Sequence, residues 1–354
     1  MITVSCLKWR ATERLLKLQT NYNEANTALS STQSDTELAC EQPEITWQTV
    51  VRNSKNGVAE DIWEGCYPQT EAKRKQWMAK TPANEDAHPA KMGWVLAGRI
   101  HYGGVRRGWW QEGSRVGSPM AGEGTELLVF RLGGCEVFGI EIEERMYRRL
   151  KKNMDHMTTR FAGEPPLFSP PLLDDHVWCG DSTKPWPEEM DRLDAVVFSP
   201  TYDSAIRKGS EGPGAKAIKG ETLAERRAQR KIIVGYGSAP GQVGNLTGQA
   251  WRDAMQSIYR NSYEATNPGG ILVTVTKDIR KKWQIYPIAD MTIEDATAVG
   301  WIGPIARFRA VGACRSWAAQ YNNQRYVDAG RPDLVLDHED ILIFSRGRIT
   351  VDRN

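Results

Sequence analysis

The stretch most suggestive of chemistry in this 354-residue chain is Ser199-Pro200-Thr201-Tyr202. It directly follows Ala195–Phe198 (AVVF), an apolar run that reads as a buried strand. The tetrapeptide therefore falls at the carboxyl end of a sheet strand, the edge at which open α/β folds bind ligands. On its own it is also compatible with a plain strand-to-loop turn. A second stretch, Ser118-Pro119-Met120-Ala121-Gly122-Glu123-Gly124-Thr125, sets two glycines two apart at the start of a helix expected over Thr125–Leu132. Glycines there let the backbone approach a ligand closely and adopt positive φ. Seventeen positions after Gly124 comes Glu141, near the end of the apolar run Val137–Ile142. Nucleotide-binding α/β folds place an acid there to hold ribose hydroxyls. The spacing fits a nucleoside cofactor, whereas a dinucleotide fingerprint would want a glycine where Leu127 stands.

Positioning these residues requires alternating strands and helices. Val137–Ile142, Val177–Cys179, Ala195–Phe198, Ile271–Thr276 and Ile341–Phe344 read as strands, and Glu143–Asn153, Trp251–Thr266 and Asp290–Val299 as helices. Trp251, Ala254, Met255, Ile258 and Tyr259 recur at the spacing of one helical face, and Asn267-Pro268-Gly269-Gly270 stops that helix. The alternation predicts an α/β fold, a doubly wound Rossmann-like sheet. It begins near residue 86 and runs to about 350, behind an N-terminal extension (1–85) whose residues 20–44 are polar and without apolar period.

In combination the motifs resemble the S-adenosylmethionine-dependent DNA methyltransferases that modify exocyclic amines, over about residues 88–346. Ser199-Pro200-Thr201-Tyr202 is similar to their (Ser/Asp/Asn)-Pro-Pro-Tyr motif, the loop 118–125 to their Asp-Pro-Phe-x-Gly-x-Gly, and GIEIEERMY to the segment with the ribose-binding acid. Cys179-Gly180-Asp181 resembles the adenine-holding position, and His88-Pro89-Ala90-Lys91-Met92 the element around the methionine end. Gln242–Leu246, Asn267–Gly270 and His338-Glu339 recur in place and order. The resemblance implies a Rossmann-like methyltransferase sheet with DNA-binding insertions and S-adenosylmethionine as cofactor. It implies cofactor contacts from Lys91, Ser118, Pro119, Met120, Ala121, Gly122, Gly124, Thr125, Glu141, Ile142 and Asp181, and no metal. It gives the catalytic role to Ser199, Pro200 and Tyr202. The Ser199 oxygen and the Pro200 carbonyl would accept hydrogen bonds from the target amine, and Tyr202 would stack on a base flipped from the duplex. The serine favours N4 of cytosine over N6 of adenine. Two positions depart from the pattern. Thr201 replaces a proline, which loosens the presentation of Pro200, and Ser118 replaces an aspartate, which removes a charge from the cofactor loop.

The partner expected is double-stranded DNA. Residues 205–233 carry eight basic residues, among them Arg207, Lys208, Lys216, Lys219, Arg226 and Arg227, against three acids. That excess, directly after the tetrapeptide, predicts phosphate contacts from a loop over 205–250. The run Arg280-Lys281-Lys282-Trp283 is a second candidate for the DNA backbone, and the arginines and amides of 303–335 are candidates for target recognition. Forty-six basic and 44 acidic residues leave a net charge of only +2, so contact with nucleic acid must come from such local patches. Most of the thirteen tryptophans are expected in the core, with one or two as stacking platforms for bases. The six cysteines are never closer than 26 positions, which gives no compact metal-ligand spacing. No apolar run is long enough for a membrane helix and the N-terminus does not read as a signal peptide, so a cytoplasmic location is expected. A methyltransferase fold that has lost activity and binds nucleic acid, and a methyltransferase acting on RNA or a small molecule, stay open as alternatives. So do a homodimer and a restriction-enzyme partner. His338 reads as a structural residue near the last strand.

Overall fold

The computed structural model describes residues 62–63, 92–161, 176–204, 237–281, 283–311 and 317–347, which lie within the compact unit Ile45–Asn354. In chain order the elements are β1 (Ile62–Trp63), α1 (Trp94–Arg106), β2 (Arg115–Ser118), α2 (Thr125–Leu132), β3 (Glu136–Glu141), α3 (Glu144–Phe161), β4 (Val177–Cys179) and β5 (Leu193–Phe198). There follow α4 (Gly248–Ala265), β6 (Thr266–Thr276), β7 (Ile279–Lys281), β8 (Gln284–Tyr286), α5 (Ile288–Ala298), β9 (Ile302–Val311), α6 (Trp317–Asp328) and β10 (His338–Ser345). The main sheet runs β4-β3-β2-β5-β6-β10-β9-β1, and β7 and β8 form a separate hairpin. β2 is parallel to both β3 and β5, β3 to β4, and β5 to β6, whereas β10 is antiparallel to β6 and β9. The sheet is doubly wound, as expected.

Alternation along the buried strands explains why both faces carry helices. Ala195, Val197, Ile271, Val273 and Val275 point into one apolar cluster with Leu96 and Ile100 of α1, Leu127 and Leu128 of α2, and Leu150 of α3. Val196, Phe198 and Leu272 point the opposite way, onto Trp251, Met255, Ile258 and Tyr259 of α4 and Ala289 and Ala296 of α5. Each strand residue therefore removes its side chain from water on one face or the other, at about 25 cal/mol for each Å² of apolar surface.

The chain winds outward through β2, β3 and β4, then returns to place β5 on the other side of β2. That reversal opens a crevice at the carboxyl ends of β2 and β5, the general ligand position in such sheets. Two expectations need adjustment. Asn267–Gly270 ends α4 but lies inside β6, where Thr266 pairs with Leu193 and Ile271 with Ala195, so the four residues form a bulge. The α3 helix continues past Asn153 to Phe161. The stretch proposed for target recognition, 303–335, begins within strand β9, which is in register with β10.

Candidate functional site

One cavity of about 280 Å³ opens at the crevice, near the lower end of the roughly 300–1,000 Å³ typical of small-molecule sites. Pro119, Met120, Ala121, Gly122 and Thr125 line it from the glycine loop, Glu141 and Ile142 from the end of β3, and Asp181 from beyond β4. Ser199, Pro200, Thr201 and Tyr202 line it from the end of β5. The sequence motifs thus converge on one space although they lie far apart in the chain. Lys91 and the basic residues Arg207, Lys208, Lys216, Lys219, Arg226 and Arg227 fall outside the described residues.

The glycine loop is held by its own neighbours. Gly122 has φ +55°, and its N–H donates to Glu141 Oε2 at 2.8 Å, while Glu141 Oε1 accepts the N–H of Glu143 at 2.8 Å. These bonds fix the carboxylate at the strand end. Burial pushes the Glu141 carboxyl up, and the two backbone donors oppose that shift. Gly124, at φ +78°, serves packing: a Cβ there would stand 2.2 Å from Leu150 Cδ1 of α3. Arg149 of the same helix donates to Glu123 Oε1 at 3.2 Å, and Asn153 to the Glu123 carbonyl at 3.0 Å.

Two residues assigned to cofactor contact do not line the cavity. Gly124 faces Leu150, and Ser118 is fully buried at the end of β2. The Ser118 hydroxyl donates to Glu126 Oε1 at 2.9 Å, and Glu126 itself faces the cavity from the first turn of α2. Position 118 carries no charge, but a carboxyl reaches the site from eight residues further on. Burial, with the Glu141 carboxylate as a smaller contributor, pushes the Glu126 carboxyl up to about 7, against the bonds from its own backbone and from Ser118.

The tetrapeptide is held by residues remote in sequence. Ser199 Oγ donates its proton to the carbonyl of Val275 on β6 at 2.9 Å, which leaves the oxygen lone pairs as acceptors. Trp251 Nε1 donates to the Thr201 carbonyl at 3.1 Å, so the residue after Pro200 is tethered even without the second proline. Thr201 is 9% exposed, and its Oγ1 has no hydrogen-bond partner. Asp203 Oδ2 accepts the N–H of Gly248 at 2.6 Å, which makes it a cap for the start of α4. Ser204 N donates to the Leu246 carbonyl and Ser204 Oγ to that of Asn245, while Asn245 Nδ2 donates to the Gly237 carbonyl at 2.9 Å. The chain thus leaves the described structure at Ser204 and re-enters it at Gly237 on the same residue. Glu143 Oε1 accepts from Ala239 N–H and Gln242 Nε2, tying the returning chain to the β3 end.

Further lining residues were not assigned from sequence: Glu126, Met146, Val275 and Lys277. The signal for Glu126 was an acid one turn past the glycines, opposite a serine where a charge was missing. Lys277 directly follows β6, as the tetrapeptide follows β5. On the other side, several of the described arginines and amides proposed for target reading bind within the chain. Arg307 Nε donates to the fully buried Asp340 at 2.8 Å, and Asn323 Oδ1 accepts from Arg280 at 2.8 Å. His338 starts β10 with Nε2 3.6 Å from Asp340 Oδ2.

No family model and no curated protein sequence matches the chain. Among solved structures it is similar to TrmN from Thermus thermophilus, at 11% identity and TM-score 0.39, over 74% of this chain and 51% of TrmN, so it spans about half that protein's length. It is also similar to a methyltransferase from Pyrococcus furiosus, at 11% identity and TM-score 0.38, over 78% and 98% of the two chains. A TehB-like SAM-dependent methyltransferase from Corynebacterium glutamicum overlaps it at 10% identity and TM-score 0.35, over 71% and 87%. These overlaps are loose, and the fold stands on the chain's own strand order. Fold and cavity define a doubly wound α/β protein with a cavity at its switch point, where such sheets bind ligands.

Proposed function

We propose that this chain is an S-adenosylmethionine-dependent methyltransferase acting on an exocyclic amine of a flipped DNA base, N4 of cytosine ahead of N6 of adenine. The observation that carries this reading is the cavity bounded by Gly122, Glu141 and Asp181 on one side and by Ser199–Tyr202 on the other. The donor set suits the cofactor: Glu126 and Glu141 offer carboxyl groups to a cation and a ribose diol, and Met92, Ile142 and Val243 offer apolar contact. Bound there, S-adenosylmethionine would supply a methyl group already activated on a sulfonium.

The chain's own residues then have defined tasks. An exocyclic amine is a weak nucleophile because its lone pair is delocalised into the ring. Ser199 Oγ, its proton committed to Val275, accepts one amine N–H, and the Pro200 carbonyl accepts the other, which favours a pyramidal nitrogen. The proton that the nitrogen sheds after transfer passes to water, since neither oxygen is basic enough to keep it. Tyr202 stacks on the base, and Glu141 accepts from the ribose hydroxyls.

Transfer of labelled methyl to unmethylated DNA, followed by digestion to nucleosides, tests the reading and separates N4-methylcytosine from N6-methyladenine. Ser199→Ala should lower turnover on the order of a hundredfold. Tyr202→Ala should weaken capture of the base by about 1–3 kcal/mol. If wild type binds S-adenosylhomocysteine but transfers nothing to varied DNA, the DNA reading falls, and transfer to RNA or to small amines is the next assay.

A further inference from the structure

Two residues after Lys277 of the cavity, the chain leaves the carboxyl edge of the sheet as the hairpin β7–β8. Lys281 pairs with Gln284, so the chain reverses within two positions. Two-residue hairpin loops favour turns with positive φ, which glycine and asparagine adopt without strain. Here the second loop position is Trp283, at φ +64°, a conformation that a bulky side chain rarely takes. Strain of this kind persists where the surroundings hold it, and it gathers at functional positions.

The surroundings are described. The Trp283 ring meets Tyr326 of α6 edge to face, with centroids 4.7 Å apart, and Arg325 lies over the indole at 5.7 Å. Arg280 in turn lies over Tyr326 at 4.2 Å and donates to Asn323 Oδ1 and the Leu334 carbonyl. The hairpin is thus braced on α6 and its following turn. Yet Trp283 remains 40% exposed. A residue needed only to cover Tyr326 would be buried by it, and glycine or asparagine would close the turn without strain. An exposed, braced aromatic ring among Arg280, Lys281 and Arg325 has the chemistry of a platform for a nucleobase on an anionic strand.

We propose that Trp283 stacks on a base of the nucleic-acid strand that enters the cavity, next to the base presented to Ser199. This deepens the methyltransferase reading and rests on it for the course of the strand. The test measures fluorescence anisotropy of a short labelled single-stranded oligodeoxynucleotide of mixed sequence, with the matching oligoribonucleotide as a second arm. Wild type, Trp283→Phe, Trp283→Gly and Trp283→Asn are compared. Glycine and asparagine suit the turn, so both variants should melt no lower than about the wild type, yet bind DNA tenfold or more weakly. Trp283→Phe, which keeps a ring, should stay within a few-fold of wild type. Tighter binding in the second arm would make the stacked base that of RNA. Equal affinity of wild type, Trp283→Gly and Trp283→Asn would overturn the proposal, as would an equal loss in Trp283→Phe, or a wild type that binds neither strand. Calorimetry with S-adenosylhomocysteine on the same four proteins should give one affinity. A wild type that takes the cofactor product but no strand therefore sinks the platform and leaves the cavity reading standing.

Discussion

The two ends of the cavity are built in different ways. At the end formed by the glycine loop, Ser118 meets Glu126, Gly122 meets Glu141 and Glu123 meets Asn153, partners that lie 8, 19 and 30 positions apart. At the tetrapeptide end, Ser204 meets Asn245, Thr201 meets Trp251 and Ser199 meets Val275, at separations of 41, 50 and 76. The first end is the more local: apart from a bond from Ser182 to the Pro119 carbonyl, the loop's supports come from the continuous stretch β2–α2–β3–α3. The second takes shape only when β5, β6 and α4 have packed. Affinity for the cofactor and competence for transfer should therefore respond to different substitutions.

The largest expected effect is at Glu126, within the local end. Its carboxyl is held at about 7 against an unperturbed 4.5, so between those values the folded chain keeps a proton that the unfolded chain releases. Stability must then fall as pH rises through that window, by about 3 kcal/mol for this group. Glu126→Gln removes the penalty: urea unfolding should find it equal to wild type near pH 4.5 and more stable by up to about 3 kcal/mol at pH 8. Parallel stability curves would show that the carboxyl is not raised. A smaller effect is expected at the same end from Glu141→Ala, which should weaken S-adenosylhomocysteine binding by about 1–3 kcal/mol in calorimetry. Turnover at saturating cofactor should be largely kept.

The smallest effect comes from the long-range end and sharpens the contrast most. Trp251→Phe keeps most of the buried ring but removes the bond to the Thr201 carbonyl. It should lower stability by about 1 kcal/mol and reduce turnover, with cofactor affinity unchanged. A shift in cofactor affinity as large as that of Glu141→Ala would mean that the two ends are not separate units.

The same division explains what could be read from the sequence. The glycine loop, Glu141 and the central strands announce themselves through local spacing and unbroken apolar runs. β9 did not, because Arg307 and Arg309 interrupt its pattern, and the reason they are tolerated is Asp340, buried on the neighbouring strand. α1 was hidden by Gly103 and Gly104, the second of which makes room for the ring of Trp110. The hairpin was hidden because Lys282-Trp283 carries none of the usual turn residues. Gly124 and Ser118 were misplaced for a common reason: motif spacing locates a loop but does not tell which of its residues face the ligand and which face the helix behind.

Asn245 receives both ends of the stretch 205–236, one through its backbone carbonyl and one through its side-chain amide. The two flanking residues, Ser204 and Gly237, are thus joined through Asn245. Lengthening a chain between two fixed ends costs only about 0.6 kcal/mol for each doubling. Exchange of the whole stretch for a longer or shorter one should therefore leave the residues that line the crevice in their places.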